Sequence, residues 1–297
     1  MDTSQSITNA PSITLIPARD PEKRINISKA PSAPQIDGKL DDAVWQTAPG
    51  ITDLVQYQYN WGQDSAEKTI VQVTSDENYV YFGIRCFTRD PHTIRANYSN
   101  RDGLYNDDWV MISLDTFNSK KRGLYFGVNP YGIQFDGTRD ENDQQDPAWD
   151  AVFQSKGVID EKGWTAEVAI PIKMLRFSNE KLQTWGLMVQ RKIAETNELS
   201  SWPVIKKEIR PQMGQAGEIK GLEVKPTHTF EVTPYVAGGY DAEHNEKNGE
   251  LEGDKVMDIG LDVKYGLRSD LVLDVAVNPD FSQIEADPEQ IEINRRY

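Results

Sequence analysis

Cysteine and histidine are almost missing from this sequence: one of the former and three of the latter occur in 297 residues. A single thiol excludes an intrachain disulfide framework. Cys86 lies inside the apolar run Tyr79–Phe87, with only His92 close in sequence, and reads as a small buried hydrophobe rather than a nucleophile. Long apolar runs are absent too; none approaches the roughly 18–20 residues of a membrane helix. No secretory leader is visible: Met1 to Pro17 is polar, rich in Ser and Thr and without a basic first region. It reads as a mature N-terminus behind an added start methionine.

Positive charge is in deficit. Lys and Arg number 32 against 47 Asp and Glu, a net charge of −15. Such a surface repels phosphate backbones, so nucleic acid is not an expected partner. The carboxylate excess suits calcium, which takes oxygen ligands, and suits plain solubility equally well. The sequence carries no Walker loop, Rossmann glycine pattern, Gly-x-Ser-x-Gly elbow or His-Glu-x-x-His helix, so no nucleotide and no catalytic residue is assigned. A glycosidase needs two carboxylates across a cleft, but among 47 acids some pair qualifies by chance. Haem is not expected: Met111, Met174 and Met188 fall in core patterns, and His228 opens a strand.

What the sequence does have is rings. Seven Trp, twelve Tyr and nine Phe accompany an apolar fraction of only 38%. Each ring buries roughly 150–250 Å², so few aliphatics are needed to complete a core. With 21 Gly and 16 Pro, this texture indicates an all-β chain.

The order of elements agrees. Residues 1–32, with Pro11, Pro17, Pro21 and Pro31, read as an extended leader. A β-sandwich is expected over 33–226. Ala43-Val44-Trp45 forms a short helical turn after Asp41-Asp42. Strands are expected at Thr69–Thr74, Tyr79–Phe87, Trp109–Leu114, Gly123–Asn129, Gly132–Asp136, Ala151–Ile159, Trp164–Ile170, Trp185–Ile193 and Gly217–Val224. Asp76-Glu77-Asn78 and Asp160-Glu161-Lys162-Gly163 read as hairpin connections, the latter with glycine where φ is positive. Ile172–Phe177 suggests a further helical turn. Many short strands with close-set turn signals describe a sandwich or a barrel.

Over 227–297 the pattern becomes strictly two-periodic. Met257, Ile259, Leu261, Val263 and Tyr265 alternate with Asp258, Gly260, Asp262 and Lys264. Leu271, Leu273, Val275 and Val277 follow in the same phase, after a turn at Arg268-Ser269-Asp270. Such alternation fits an ordinary half-exposed hairpin, and it fits the first strands of an outer-membrane barrel. About three such strands are present, counting Thr229–Ala237, whereas a closed barrel needs at least about eight.

Several stretches resemble the family 9 carbohydrate-binding modules, and more closely the family-9-like domain at the front of large bacterial outer-membrane proteins. They are Ile36-Asp37-Gly38-Lys39-Leu40-Asp41-Asp42-Ala43-Val44-Trp45, Tyr79–Cys86, Asn106-Asp107-Asp108-Trp109-Val110 with Leu114-Asp115-Thr116, and Phe126–Gly132. Further stretches are Trp149–Val152, Gly163–Pro171, Leu175-Arg176-Phe177 and Val277–Asp287. The resemblance implies a two-sheet antiparallel sandwich, calcium in some members, and a cleft where rings hold the end of a glycan. It also implies that 227–297 opens a truncated outer-membrane barrel, and that the chain is secreted across the inner membrane.

Sugar rings present C–H faces that stack on aromatic rings, and hydroxyls that need planar polar partners. Tyr105 and Trp202 match the places of the family's two stacking aromatics, one before the Asp-rich strand start and one in a late loop. Arg101 and Asn129 are candidates for polar contacts. In the family an acidic residue stands two beyond the position of Trp109; this chain has Met111 there. Trp45, Trp109, Trp164 and Trp185 read as core, and Trp61 and Trp149 as intermediate. Asp140, Asp143 and Asp146, in the densest acidic run, and Asp150 are the calcium candidates, although the run lacks EF-hand spacing.

The expected role is a non-catalytic carbohydrate-binding module at the bacterial cell surface, linked to glycan uptake or degradation. Alternatives are a soluble gating or protein-interaction domain of an outer-membrane barrel, and an accessory part of a glycoside hydrolase.

Overall fold

The structure, a computed structural model, describes residues 13–104, 106–224, 230–244, 251–268 and 271–278. It divides after Pro226 into two units. In chain order the strands of the first are β1 (Leu15–Pro17), β2 (Arg24–Asn26), β3 (Gly50–Thr52), β4 (Val55–Gln56), β5 (Thr69–Ser75), β6 (Tyr79–Phe87), β7 (Trp109–Asp115) and β8 (Gly123–Val128). They continue with β9 (Gln134–Arg139), β10 (Gln145–Asp146), β11 (Gln154–Asp160), β12 (Gly163–Pro171), β13 (Leu182–Ile193), β14 (Glu198–Trp202) and β15 (Gly217–Glu223).

These strands build two sheets. The first runs β1-β3-β5-β6-β12-β11, and the second β10-β9-β8-β7-β13-β14-β4, with β15 also paired to β13 and to β2. All pairings are antiparallel except β1 with β3 and β15 with β2. Residues 15–17 and 24–26, inside the segment expected to be a leader, are therefore edge strands of the sandwich, and Ile25 is buried in the core. Val73, Phe82, Ile84 and Val168 of the first sheet join Ile112, Leu114, Phe126 and Val189 of the second in one apolar core.

The period of two explains which side chains reach that core. On β6 and β12 the even-numbered residues point in. Their odd-numbered neighbours face the other way, and there the segment Ile36–Trp45 packs. The Trp45 ring lies over Gly83, where an added Cβ would come within 2.9 Å of the indole. Glu167, paired in register with Gly83, is wholly buried. Its Oε1 accepts the Trp45 indole N–H at 2.8 Å, and its Oε2 accepts the backbone N–H groups of Asp37 and Gly38, both at 2.9 Å. The motif that carries the resemblance is thus a clamp on the back of the first sheet. Gly38 has φ +88°, which suits glycine.

Turn chemistry behaves as expected. Asp76 Oδ1 accepts from the N–H groups of Asn78 and Tyr79, closing the first hairpin connection. β11 and β12 are joined through Glu161-Lys162, with Asp160 opposite Gly163. Two 3-10 turns, Ala43–Gln46 and Ile172–Met174, occupy the positions expected for helical turns.

The second unit contains β16 (Phe230–His244), β17 (Leu251–Arg268) and β18 (Leu271–Val277), an antiparallel meander. The register stacks Phe230, Tyr265 and Leu273 across the three strands, then Val232, Val263 and Val275, then Pro234, Leu261 and Val277. This face is apolar, and Phe230, Val236, Met257, Ile259 and Leu273 on it are exposed. The opposite face carries Thr233, Asp262, Lys264 and Asp274. No closed barrel is formed among the described residues. Ser269, Asp270, His228 and the stretch 279–287 lie outside them.

Candidate functional site

The residues singled out from sequence do not meet. Tyr105 lies outside the described residues. Trp202 was expected on a loop; it ends β14 instead, with its side chain fully buried in the core, and cannot stack on a ligand. Asn129 is also fully buried, and its amide is spent inside the protein. Its Nδ2 donates to Asn97 O at 3.0 Å and Asp107 Oδ2 at 2.9 Å, while its Oδ1 accepts from the N–H groups of Tyr131 and Ile133. Arg101 is similarly committed: it pairs with buried Asp136, donates to Gln134 Oε1 at 3.0 Å and to Ala151 O at 2.6 Å, and lies 5.5 Å from the Phe153 ring centre. Asn129 and Arg101 hold loops together rather than offering contacts to a sugar.

The four calcium candidates are dispersed as well. Asp140 Oδ1 caps its own turn, accepting from Asn142 and Gln144 N–H. Asp143 pairs with Arg210 at 2.6 Å and accepts the Gln212 N–H at 2.7 Å. Asp146 accepts the N–H of Ala148, and Asp150 lies 3.4 Å from Arg101. Among the described residues no group of three His, Cys, Asp or Glu converges to hold a metal ion.

A site does exist, on the outer face of the second sheet. Val110, Ile112 and Leu114 of β7 point into the core, so Trp109, Met111 and Ser113 point out. The same parity turns out Tyr125 and Gly127 on β8, Phe135, Gly137 and Arg139 on β9, and Gln190 on β13. Of these, Trp109, Met111, Tyr125, Phe135, Arg139 and Gln190 line a groove of about 320 Å³ with Tyr57 and Leu199, and Asp102, Asp143 and Arg210 border it. Trp109, expected in the core, is therefore only half-buried and belongs to the groove wall.

Two Gly–aromatic pairs build the floor. Phe135 stands opposite Gly127 and Tyr125 opposite Gly137 in the β8–β9 register. Each ring lies flat over the facing glycine: a Cβ on Gly127 would fall 2.0 Å from Phe135 Cζ, and one on Gly137 would fall 2.3 Å from the Tyr125 oxygen. Cross-strand glycine lets the ring cover the sheet instead of standing upright on it. The Trp109 ring meets Phe135 edge to face at 5.7 Å. Replacing Gly127 with valine is expected to lift Phe135 off the sheet and to lower stability by about 1–3 kcal/mol, as overpacking does. Denaturant titration and a crystal structure of the variant check this; an unmoved ring would refute the floor as described.

Polar groups line the other side. Arg139 Nη1 donates to Gln212 Oε1 at 2.9 Å and Nη2 to Gln190 Oε1 at 3.2 Å. Gln190 also hydrogen-bonds the Tyr57 hydroxyl, whose pKa burial pushes up to about 12, so the phenol stays neutral. Trp61, partly exposed, meets Tyr57 edge to face at 6.4 Å. Met111 is almost fully buried, with its sulfur 3.9 Å from Gln145 Nε2, so a thioether occupies the place of the family's carboxylate.

Most of these residues escaped sequence reading, although one signal was present. Tyr125-x-Gly127 and Phe135-x-Gly137 are equidistant from the turn at Tyr131, so each aromatic faces a glycine across the hairpin.

Residues 36–202 match the family model described as carbohydrate family 9 binding domain-like, and residues 226–294 match a domain of unknown function, DUF5916. Among solved structures, a candidate carbohydrate-binding protein of Bacteroides uniformis is similar with a TM-score of 0.52 and 10% identity, over 68% of this chain and 99% of that one. A family 9 module of Caldicellulosiruptor kristjanssonii, solved with cellotriose, shows a TM-score of 0.48 and 19% identity over 68% of this chain and 93% of its own. The same module solved with glucose gives a TM-score of 0.48 and 19% identity over 68% and 95%. No curated protein matches the chain. At these identities the likeness speaks to the fold alone.

Proposed function

The chain belongs to the carbohydrate family 9 binding domain-like family, whose model spans residues 36–202, and from that premise we propose that its first unit is a non-catalytic carbohydrate-binding module, with the ligand in the groove on the outer face of the second sheet. The observation that supports this most is the pairing of flat rings with planar polar groups in one concavity. Phe135 and Trp109 offer apolar faces for the C–H side of a sugar ring, and Gln190, Gln212 and Arg139 lie alongside for its hydroxyls. A hydrolytic site needs one carboxylic acid that protonates and one carboxylate. In the groove Asp143 is spent on Arg210 and the Gln212 N–H, and Asp102 accepts the backbone N–H of Asp136, so binding without turnover is the reading.

Calorimetric titration of the full chain with a panel of oligosaccharides tests it. Saturable binding that Trp109→Ala removes supports the assignment. No binding to any glycan, or binding that Trp109→Ala leaves unchanged, overturns it.

A second reading concerns the C-terminal unit: we infer that its apolar face meets lipid, as part of a bacterial outer-membrane barrel that displays the module at the cell surface in glycan uptake or degradation. Strands that alternate apolar and polar faces, with Phe230, Val236, Met257, Ile259 and Leu273 of the apolar one exposed, support this. Cys86 is buried, and its thiol is pushed up to about 11, so a new cysteine is the one a maleimide labels. Cysteine at Ile259 is expected to lose at least about nine-tenths of its labelling in lipid vesicles, while cysteine at Asp262 keeps it. Equal labelling of both would remove the membrane reading and leave the module.

A further inference from the structure

The groove contains a cation without a counter-ion. Arg139 closes β9 and is 5% exposed. Its two Nη atoms donate to the neutral amide oxygens of Gln190 and Gln212, and its Nε has no hydrogen-bond partner. Among the described residues no carboxylate oxygen lies within 4.0 Å of the guanidinium. Buried charges are ordinarily paired, because desolvation of an isolated ion is costly, and arginine does not escape by losing its proton.

The neighbours do not supply the missing charge. Asp143, which acts on Arg139 from a distance, is bound at 2.6 Å to Arg210 and at 2.7 Å to the Gln212 N–H. Asp102 accepts the backbone N–H of Asp136. Tyr57 is held neutral by burial. Arg139 itself is pushed below its ordinary range, chiefly by desolvation. The imbalance is local, since the chain as a whole carries −15.

We propose that the ligand brings this anion: the groove takes an acidic saccharide, whose carboxylate or sulfate sits against Arg139 while its ring lies on Phe135 and Trp109. The inference rests on the carbohydrate-binding reading of the same groove and narrows it to a substrate class. A uronic acid carboxylate matches the planar guanidinium fork, and a sulfate ester presents the same negative oxygens.

Titration calorimetry on the full chain compares two pairs, each an acidic saccharide and its uncharged counterpart. One pair is tetragalacturonate and its methyl ester; the other is a glucose disaccharide with and without a 6-sulfate. At low ionic strength the acidic member of at least one pair is expected to bind at least tenfold more tightly. Which pair shows the gap separates uronate from sulfate. Salt is expected to narrow that gap while leaving the neutral member unaffected. Arg139→Gln is expected to erase the gap between the acidic and the neutral member, and Arg139→Lys to retain part of it.

Equal affinity within both pairs overturns the inference, as does a gap that survives Arg139→Gln in a variant of unchanged circular dichroism. Should Arg139→Gln fail to fold, the salt dependence of the wild-type gap decides: a salt-independent gap also overturns it. Neutral sugars bound without a gap would remove only this proposal, whereas no saccharide bound at all would remove the carbohydrate reading with it.

Discussion

Replacing Trp109 with alanine lowers saccharide affinity by at least about tenfold, or 1.4 kcal/mol, and leaves the fold standing. The indole is half-buried, opens β7 and touches Phe135 edge to face at 5.7 Å. Truncation removes a wall of the groove and frees the Phe135 ring from its edge contact, so the stacking surface is lost twice over. Aromatic truncations at the centre of binding sites commonly cost about 2 kcal/mol or more. Stability falls less, because the core-facing partners Val110 and Ile112 keep their packing. Calorimetry gives the affinity and a thermal melt gives the stability. A folded variant that binds as well as the parent would place the ligand elsewhere.

Replacing Glu167 with alanine lowers the stability of the first unit by about 3–5 kcal/mol, because two buried donors and one half-buried donor lose their acceptor at about 1–3 kcal/mol each. Those donors are the Trp45 indole and the backbone N–H groups of Asp37 and Gly38. Without their acceptor the segment Ile36–Trp45 is held to the first sheet by the Thr165 hydroxyl on Gly38 O and the Gln72 amide on Trp45 O. Glu167→Gln is expected to fall in between, since one amide oxygen remains to accept. Burial raises the Glu167 pKa above its ordinary value. A raised folded-state pKa means that the folded chain holds the proton longer than the unfolded one. This contribution is therefore present below the ordinary glutamate range, near about 4, and is lost as pH rises through the folded value. Glu167→Gln abolishes that slope. Urea titrations at several pH values check both statements; an alanine variant as stable as the parent would show that the clamp is idle. Binding by the folded fraction should be unaffected, because clamp and groove lie on opposite sheets.

The contrast between Glu167 and Trp109 bears on what the motifs of this family mean in this chain. Ile36–Trp45 is the most legible stretch in the sequence, and its work is architectural. The groove is lined mostly by residues outside those motifs, Trp109 being the exception.

Local pattern was enough for the all-β class, for most long strands and for the alternation that sends Ile112, Phe126 and Val189 inward. It also marked the turns at Asp76–Asn78 and Asp160–Gly163 and the one-sided apolar face of 257–277. These properties depend on neighbours one to four residues apart, and the chain carries that information directly. β14 shows where such reading stops. Glu198-Leu199-Ser200-Ser201-Trp202 looks like a polar loop, but Glu198 accepts the Ser65 hydroxyl at 2.6 Å from 133 residues away, and the strand buries Trp202. Asn129 is another case, since Asp107 and Asn97, both distant in sequence, consume its amide. Whether an aromatic or an arginine is displayed or spent depends on partners distant in sequence, and only the folding of β7, β8, β9 and β13 side by side brought Trp109, Phe135, Gln190 and an unpaired Arg139 into one concavity.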